Sequence, residues 1–317
     1  MSVTLKGRSL LTWLDYSAEE IRYLLDLAHQ VKAESKGAAP SKEGGFQRFA
    51  GKTIALLFEK RSTRTRCSFE TAFGEEGGHP VFLSTADIHL GEKEALEDTA
   101  RVLGRMFSAI QFRGFKQKTA ETLARYSGVP VYNGLTDEFH PTQALADIMT
   151  LEENFNPVKG RTLCYVGDGR NNVARSLMVI CSKLGVHFTV ITPPQLNPDD
   201  ALRAICAPLA AASGAKITVT ADTAAVAGAD ALYTDVWVSM GEEDKRAERV
   251  RLLSPYQVNQ ALMDKTGSPD SIFLHCLPAV KGEEVTPEVI DGPQSRAWDE
   301  AENRKHTIKA IMLATLG

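Results

Sequence analysis

The run Glu59-Lys60-Arg61-Ser62-Thr63-Arg64-Thr65-Arg66 follows an apolar stretch, 53–58, and leads into a helical pattern. A helix N-terminus offers unpaired N–H groups and positive dipole potential, which already suits an anion. Arg61 and Arg64, with the hydroxyls of Ser62, Thr63 and Thr65, add the charge and donors that a phosphate would use. The same residues would also serve as a plain N-cap in a solvated turn. Arg113 ends a second apolar run, 109–112, where it can polarise a carbonyl attached to that phosphate. After a third run, 130–132, comes His140-Pro141-Thr142-Gln143, with proline placed for a helix start. His140 reads equally as a site donor and as a structural histidine. Later strand-like runs end in Gly167-Asp168-Gly169-Arg170-Asn171-Asn172, in Asp235 and in Cys276-Leu277-Pro278. Asp235 suits a cationic amine, and Asn171 and Asn172 can present amides to a small polar ligand. The glycines after 162–166 also invite a dinucleotide. Asn172, however, stands where the third glycine of that fingerprint belongs, and no acid for a ribose occurs within 186–195.

These residues share a position: each lies just past a short apolar run. Strands are expected at 53–58, 80–83, 109–112, 130–132, 162–166, 186–191, 216–219, 231–234 and 272–275. Helical patterns lie between them at 65–76, 93–105, 141–154, 173–184 and 199–212. Such alternation in two batches predicts an α/β chain of two doubly wound parallel-sheet domains, in which ligands bind beyond the carboxyl ends of the strands. The turn signals of 154–160 place the boundary between a domain at 1–153 and one at 154–299. The run 242–251 (EEDKRAERVR) reads as a solvated helix face. With Gly241 before it, the segment 239–251 also reads as a lid able to leave its packing, against a permanently docked helix.

Composition narrows the class. The 317 residues include 24 Gly and 14 Pro and are 43% apolar, which excludes a disordered or collagen-like chain and fits two domains with their own cores. With 36 basic and 40 acidic residues the net charge is −4, unlike the basic excess of a nucleic-acid binder. No apolar run approaches the roughly 20 residues needed to cross a bilayer. Near the N-terminus, Ser17-Ala18-Glu19-Glu20 forms a capping box before Ile21, Leu24, Leu25, Ala28 and Val31 at helical spacing. Neither a transit peptide nor a secretory signal is legible there, so a cytoplasmic location is expected. The five cysteines are widely spread without a CxxC pair, and Cys276 is set apart by its strand-end position.

Together, Ser62-Thr63-Arg64-Thr65, Arg113, His140-Pro141-Thr142-Gln143, Asp235 followed by Ser239-Met240-Gly241, and His275-Cys276-Leu277-Pro278 resemble the ornithine carbamoyltransferase family. The match runs in order along essentially the whole chain, to Glu302-Asn303-Arg304 in the last helix. The resemblance implies transfer of the carbamoyl group of carbamoyl phosphate to the δ-amine of L-ornithine, giving L-citrulline and phosphate, a chemistry shared by arginine biosynthesis and arginine breakdown. The first domain would bind carbamoyl phosphate and the second ornithine, with the last helix, 300–317, returning to the first. Ser62, Thr63, Arg64, Thr65, Arg113, His140, Gln143 and Arg304 would hold carbamoyl phosphate. Asn172, Asp235, Ser239 and Met240 would hold ornithine, and Cys276 and Leu277 would sit at the reacting centre. His89 matches a position, Gln or His in the family, that reaches a neighbouring subunit's site, so a homotrimer with shared active sites is implied. No cofactor is implied, and no metal-ligand spacing occurs. An aspartate enzyme would want cations for the second carboxylate, and a putrescine enzyme would have little use for Asn172 and Ser239-Met240. An inactive paralogue serving as a binding subunit is the alternative from another class.

Overall fold

The computed structural model describes residues 3–37, 46–85, 88, 94–238 and 242–317. It divides into two compact units, Met1–Met149 with Glu302–Gly317, and Thr150–Ala301. The division between Met149 and Thr150 falls inside the helix Pro141–Asn154, a few residues before the turn-rich stretch 154–160.

In the first unit β1 (Thr53–Phe58), β2 (His79–Ser84), β3 (Ala109–Arg113) and β4 (Val131–Leu135) form a parallel sheet in the order β2-β1-β3-β4. Five of six β1 residues and all of β3 are buried, as expected where helices cover both faces. Ala55, Leu57, Ile110 and Phe112 pack with Ala100, Leu103, Ala120 and Leu123 of the flanking helices. Burying a side chain the size of leucine contributes about 1.5–3 kcal/mol, so this layer fixes where the strand ends lie. The capping box forms as expected: Glu20 N–H donates to Ser17 Oγ at 3.1 Å, and Ser17 N–H to Glu20 Oε2 at 2.8 Å.

The second unit carries β5 (Thr162–Val166), β6 (His187–Ile191), β7 (Ile217–Thr220), β8 (Ala231–Thr234) and β9 (Ile272–His275), parallel in the order β7-β6-β5-β8-β9. Cys164, Val166, Ile191, Leu232 and Phe273 lie in one buried cluster. In both sheets the strand order reverses beside the first strand, between β1 and β3 and between β5 and β8. In open parallel sheets ligands bind beyond the carboxyl ends at such points.

Several boundaries differ from the sequence expectation. The helix after β1, α1, spans Thr63–Gly74, because Ser62 Oγ accepts from Thr65 N–H at 3.2 Å and starts it two residues early. Thr63, Arg64 and Thr65 are therefore its first turn. The C-terminal helix is Ala297–Leu316. The charged run supplies a helix, α2 (Arg246–Leu253), that is docked: Arg249 is buried and pairs with Asp168 Oδ2 at 3.0 Å. Among the described residues no helix is long and apolar enough to cross a membrane.

Candidate active site

In the first unit β1 and β3 run side by side with Phe58 opposite Arg113, so both strands end at the same level. Against β4 the register shifts between Phe112 and Arg113, so that Gly134 is the extra residue and Arg113 pairs with Leu135. Arg113 Nη1 donates to Thr65 Oγ1 at 3.1 Å, and Arg304 Nη2 donates to the same oxygen at 3.0 Å. All three residues are buried. A neutral hydroxyl thus orients two guanidinium groups without cancelling their charge, which leaves an electropositive point at the helix N-terminus. Gly134 leaves room for Thr65 here: a Cβ on it would lie 3.0 Å from the Thr65 methyl.

His140 and Gln143 enter from the first turn of the helix Pro141–Asn154. Burial, and then the charges of Arg304 and Arg113, hold the His140 imidazole well below its usual pKa. It is therefore neutral near pH 7, a donor through one N–H beside two fixed cations. Gln143 Nε2 donates to Asp147 Oδ1 at 2.8 Å, one helical turn on. A cavity of about 530 Å³ opens at the start of α1, lined among others by Arg61, Ser62, Thr63 and Phe82. Thr63 is exposed and Arg64 half-buried on that turn.

In the second unit β8 and β9 end in Asp235 and Cys276. Cys276 Sγ donates to Asp235 Oδ1 at 3.1 Å, and Val236 N–H donates to that oxygen at 2.8 Å. Asn171 Nδ2 donates to Asp235 Oδ2 at 2.9 Å, while Asn171 Oδ1 caps the helix Asn172–Leu184 through Val173 N–H at 2.7 Å. The buried carboxylate is thus held by three donors. Among the described residues no Lys or Arg forms an ion pair with it. The neighbouring Asp168 differs, being neutralised by both Arg170 and Arg249. Burial pushes the Tyr165 hydroxyl well above its usual pKa, and the charges of Asp235 and Asp168 add to the effect. This end of the sheet is consequently a negative point suited to an ammonium.

Ligand atoms of Asp235, His275 and Cys276 all lie within 4.8 Å of one another, a donor trio that sequence spacing does not reveal. His275 Nδ1, however, already accepts Leu277 N–H at 2.8 Å, and its Nε2 faces Glu284 at 3.3 Å. Its lone pair is committed to the backbone, a poor fit to a resident metal.

The fold therefore brings Ser62, Thr65, Arg113, His140 and Arg304 together in one unit, and Asp235 and Cys276 in the other. Leu277, beside Cys276, has φ 59°, a left-handed conformation uncommon for leucine. Asn172 opens its helix, and its carbonyl accepts from Ser176 Oγ at 2.8 Å; the amide on Asp235 belongs to Asn171. Asparagine before a helical run is a capping signal, but with the run read from 173 it points to Asn172, and the helix begins one residue earlier with Asn171 as its cap. Sequence reasoning also left Asp147, Glu284 and Glu300 without roles. His89, Ser239 and Met240 lie outside the described residues.

Comparison with known proteins agrees with this geometry. Residues 8–153 match the carbamoyl-P binding domain, and residues 159–315 the Asp/Orn binding domain, of aspartate/ornithine carbamoyltransferases. The chain is 64% identical over 317 residues, all of both chains, to an ornithine carbamoyltransferase of Caldanaerobacter subterraneus. It is 54% identical to a catabolic ornithine carbamoyltransferase of Bacillus licheniformis, covering all of this chain and 98% of that one. The solved ornithine carbamoyltransferase of Pyrococcus furiosus superposes with a TM-score of 0.94 at 46% identity, covering 100% of this chain and 99% of that one. The chain belongs to the aspartate/ornithine carbamoyltransferase family.

Proposed function

We propose that this chain transfers the carbamoyl group of carbamoyl phosphate to the δ-amine of L-ornithine, yielding L-citrulline and phosphate. The observation that carries the choice of acceptor is Asp235, a buried carboxylate fixed by three donors and given no cationic partner among the described residues. An ammonium-bearing substrate completes that charge, whereas a second carboxylate, as in aspartate, would be repelled.

Ser62, Thr63, Arg64 and Thr65 take the phosphate at the start of α1, with Arg304 supplying further charge. Arg113 and neutral His140 donate to the carbamoyl oxygen as negative charge develops on it. The neutral δ-amine attacks the carbamoyl carbon. The C–N bond forms, the bond from carbon to the bridging phosphate oxygen breaks, and the departing phosphate accepts the amine proton. Gln143 orients the carbamoyl end, and Cys276 and Leu277 line the reacting centre. Asn172, Ser239 and Met240 complete the hold on ornithine beside Asp235. No step requires a metal or cofactor.

Turnover with ornithine, putrescine, aspartate and N-acetylornithine tests the reading. Ornithine is expected to give the highest kcat/KM, and comparable turnover with any other acceptor would overturn it.

We place the reaction in arginine biosynthesis in the cytoplasm. Two relatives whose names state the catabolic direction are 54% and 51% identical, against 64% for a relative whose name states no direction. The buried thiols of Cys164, Cys181 and Cys206, none of them in a disulfide, suit a reducing compartment. The working unit is a homotrimer in which His89 serves a neighbouring subunit's site. Refolding His89→Ala with Arg64→Ala chains tests this. Mixed trimers are expected to regain activity above the sum of the separate mutants, and no recovery despite verified mixing would confine His89 to its own subunit.

A further inference from the structure

Cys276 and Leu277 are carried by the loop after β9, whose shape is held from beneath. Leu277 has φ 59°, a conformation that a leucine keeps only when its surroundings impose it. The imposing contact is the 2.8 Å bond from Leu277 N–H to His275 Nδ1. An imidazole nitrogen that accepts must carry no proton, so the ring proton of neutral His275 is on Nε2. That nitrogen faces Glu284 Oε1 at 3.3 Å, and both side chains are fully buried. The same Glu284 oxygen accepts Val280 N–H at 2.6 Å, tying down the far end of the loop. The near end is fixed by His275 N–H on Glu300 Oε2 at 2.9 Å. Glu284 Oε2 is buried without a hydrogen-bond partner among the described residues. A buried carboxylate with one oxygen unmatched is an expensive way to stabilise a fold, which points to a task in orienting the loop.

We propose that Glu284 is a positioning residue for the transfer reaction: by accepting the His275 ring proton it selects the tautomer that holds Leu277, and so keeps Cys276 Sγ on Asp235. The inference rests on the functional reading above, which puts Cys276 and Leu277 at the reacting centre. What the site needs from Glu284 is an acceptor directed at Nε2, and a glutamine oxygen supplies that as well as a carboxylate does. Removing the acceptor frees the ring to turn or change tautomer. The Leu277 bond is then lost, and the thiol leaves Asp235.

The test compares Glu284→Leu and Glu284→Gln with the wild-type protein in citrulline formation and in alkylation of individual cysteines by iodoacetamide, read by peptide mass. Glu284→Leu is expected to lower kcat by about tenfold or more while KM for carbamoyl phosphate stays within about twofold. Cys276 is expected to alkylate several-fold faster, because its proton is no longer held, while exposed Cys67 in the other unit keeps its rate. Glu284→Gln is expected to stay within about threefold of wild type in kcat and in Cys276 alkylation. Wild-type kcat and Cys276 reactivity in Glu284→Leu would overturn the proposal. So would a loss in Glu284→Gln as large as in Glu284→Leu, which would assign the effect to charge. If Glu284→Leu does not fold, Glu284→Gln decides alone, and a loss beyond about tenfold refutes the proposal. Wild-type protein that makes no citrulline would refute the functional reading instead, and the alkylation rates would still judge the positioning.

Discussion

Arg304 donates to Thr65 Oγ1 at 3.0 Å across 239 residues of sequence, and it does so inside one compact unit. The C-terminal helix therefore brings a second guanidinium, beside that of Arg113, to the start of α1. Lys32 anchors the same helix through Asn303 Oδ1 at 2.6 Å, and Lys309 through Glu75 Oε2 at 2.7 Å.

Thr65→Val is predicted to keep the shape of this turn and remove the oxygen that orients both guanidinium groups. Hydrogen bonds to charged groups contribute about 1.5–3 kcal/mol, so carbamoyl phosphate should bind roughly ten- to 150-fold more weakly. Calorimetric titration without ornithine measures it, and unchanged affinity would remove Thr65 from the site.

Asn171 does two jobs, and two substitutions should separate them. Asn171→Ala is expected to lose the helix cap, at about 0.5–2 kcal/mol of stability, and to raise KM for ornithine as Asp235 loosens. Asn171→Asp keeps a capping oxygen but sets a second negative charge beside Asp235, so stability should be largely retained while ornithine KM changes. Thermal unfolding and steady-state kinetics check the pair. If both variants lose stability equally and keep wild-type KM, the contact with Asp235 is incidental.

Cys276→Ser is predicted to lower kcat by about tenfold or more with little change in Tm. Cys276 is half-buried and bonded to Asp235, whereas burial pushes the Cys164 thiol up to about 12 and keeps it inert. Full turnover in Cys276→Ser together with loss in Cys164→Ser would reverse this assignment.

Stability should fall as pH drops below 6.5. Burial lowers the pKa of both His140 and His306, the latter to about 4 despite its bond to Glu302. The unfolded chain takes up these protons near 6.5 and the folded chain only at lower pH. Between 6.5 and about 4 the unfolded state thus binds more protons and is favoured. For Glu75 and Glu76 burial acts to raise the pKa but is outweighed by Lys309, Lys305 and Arg48, so both lie below their usual range and their contribution is lost as pH falls below 4.5. Denaturant unfolding of His306→Gln should show a flatter dependence across that window, and a slope equal to wild type would exclude His306 from it.

The strand ends, the capping residues and the identities of the reactive side chains were legible in the sequence because each depends on neighbours within one helical turn or one strand. Alternating apolar runs located all nine strands found among the described residues, and Ser62, Arg113, Asp235 and Cys276 stand beyond those runs as expected. Which of these side chains meet is a different kind of fact. Arg304 on Thr65, Cys276 on Asp235, Arg249 on Asp168 and His275 on Glu284 depend on strand order and on the depth of a helix against its sheet. The charged run 242–251 read as solvated because its spacing carries no apolar stripe, yet Asp168 draws Arg249 inward. Likewise, two adjacent asparagines have the same local chemistry, and only the cap geometry of the folded helix turns Asn171 toward Asp235. Local preference acts through short-range sterics and hydrogen bonds that repeat along the chain. The choice of partner across the fold is made by packing, which places a buried charge where distant residues can compensate it.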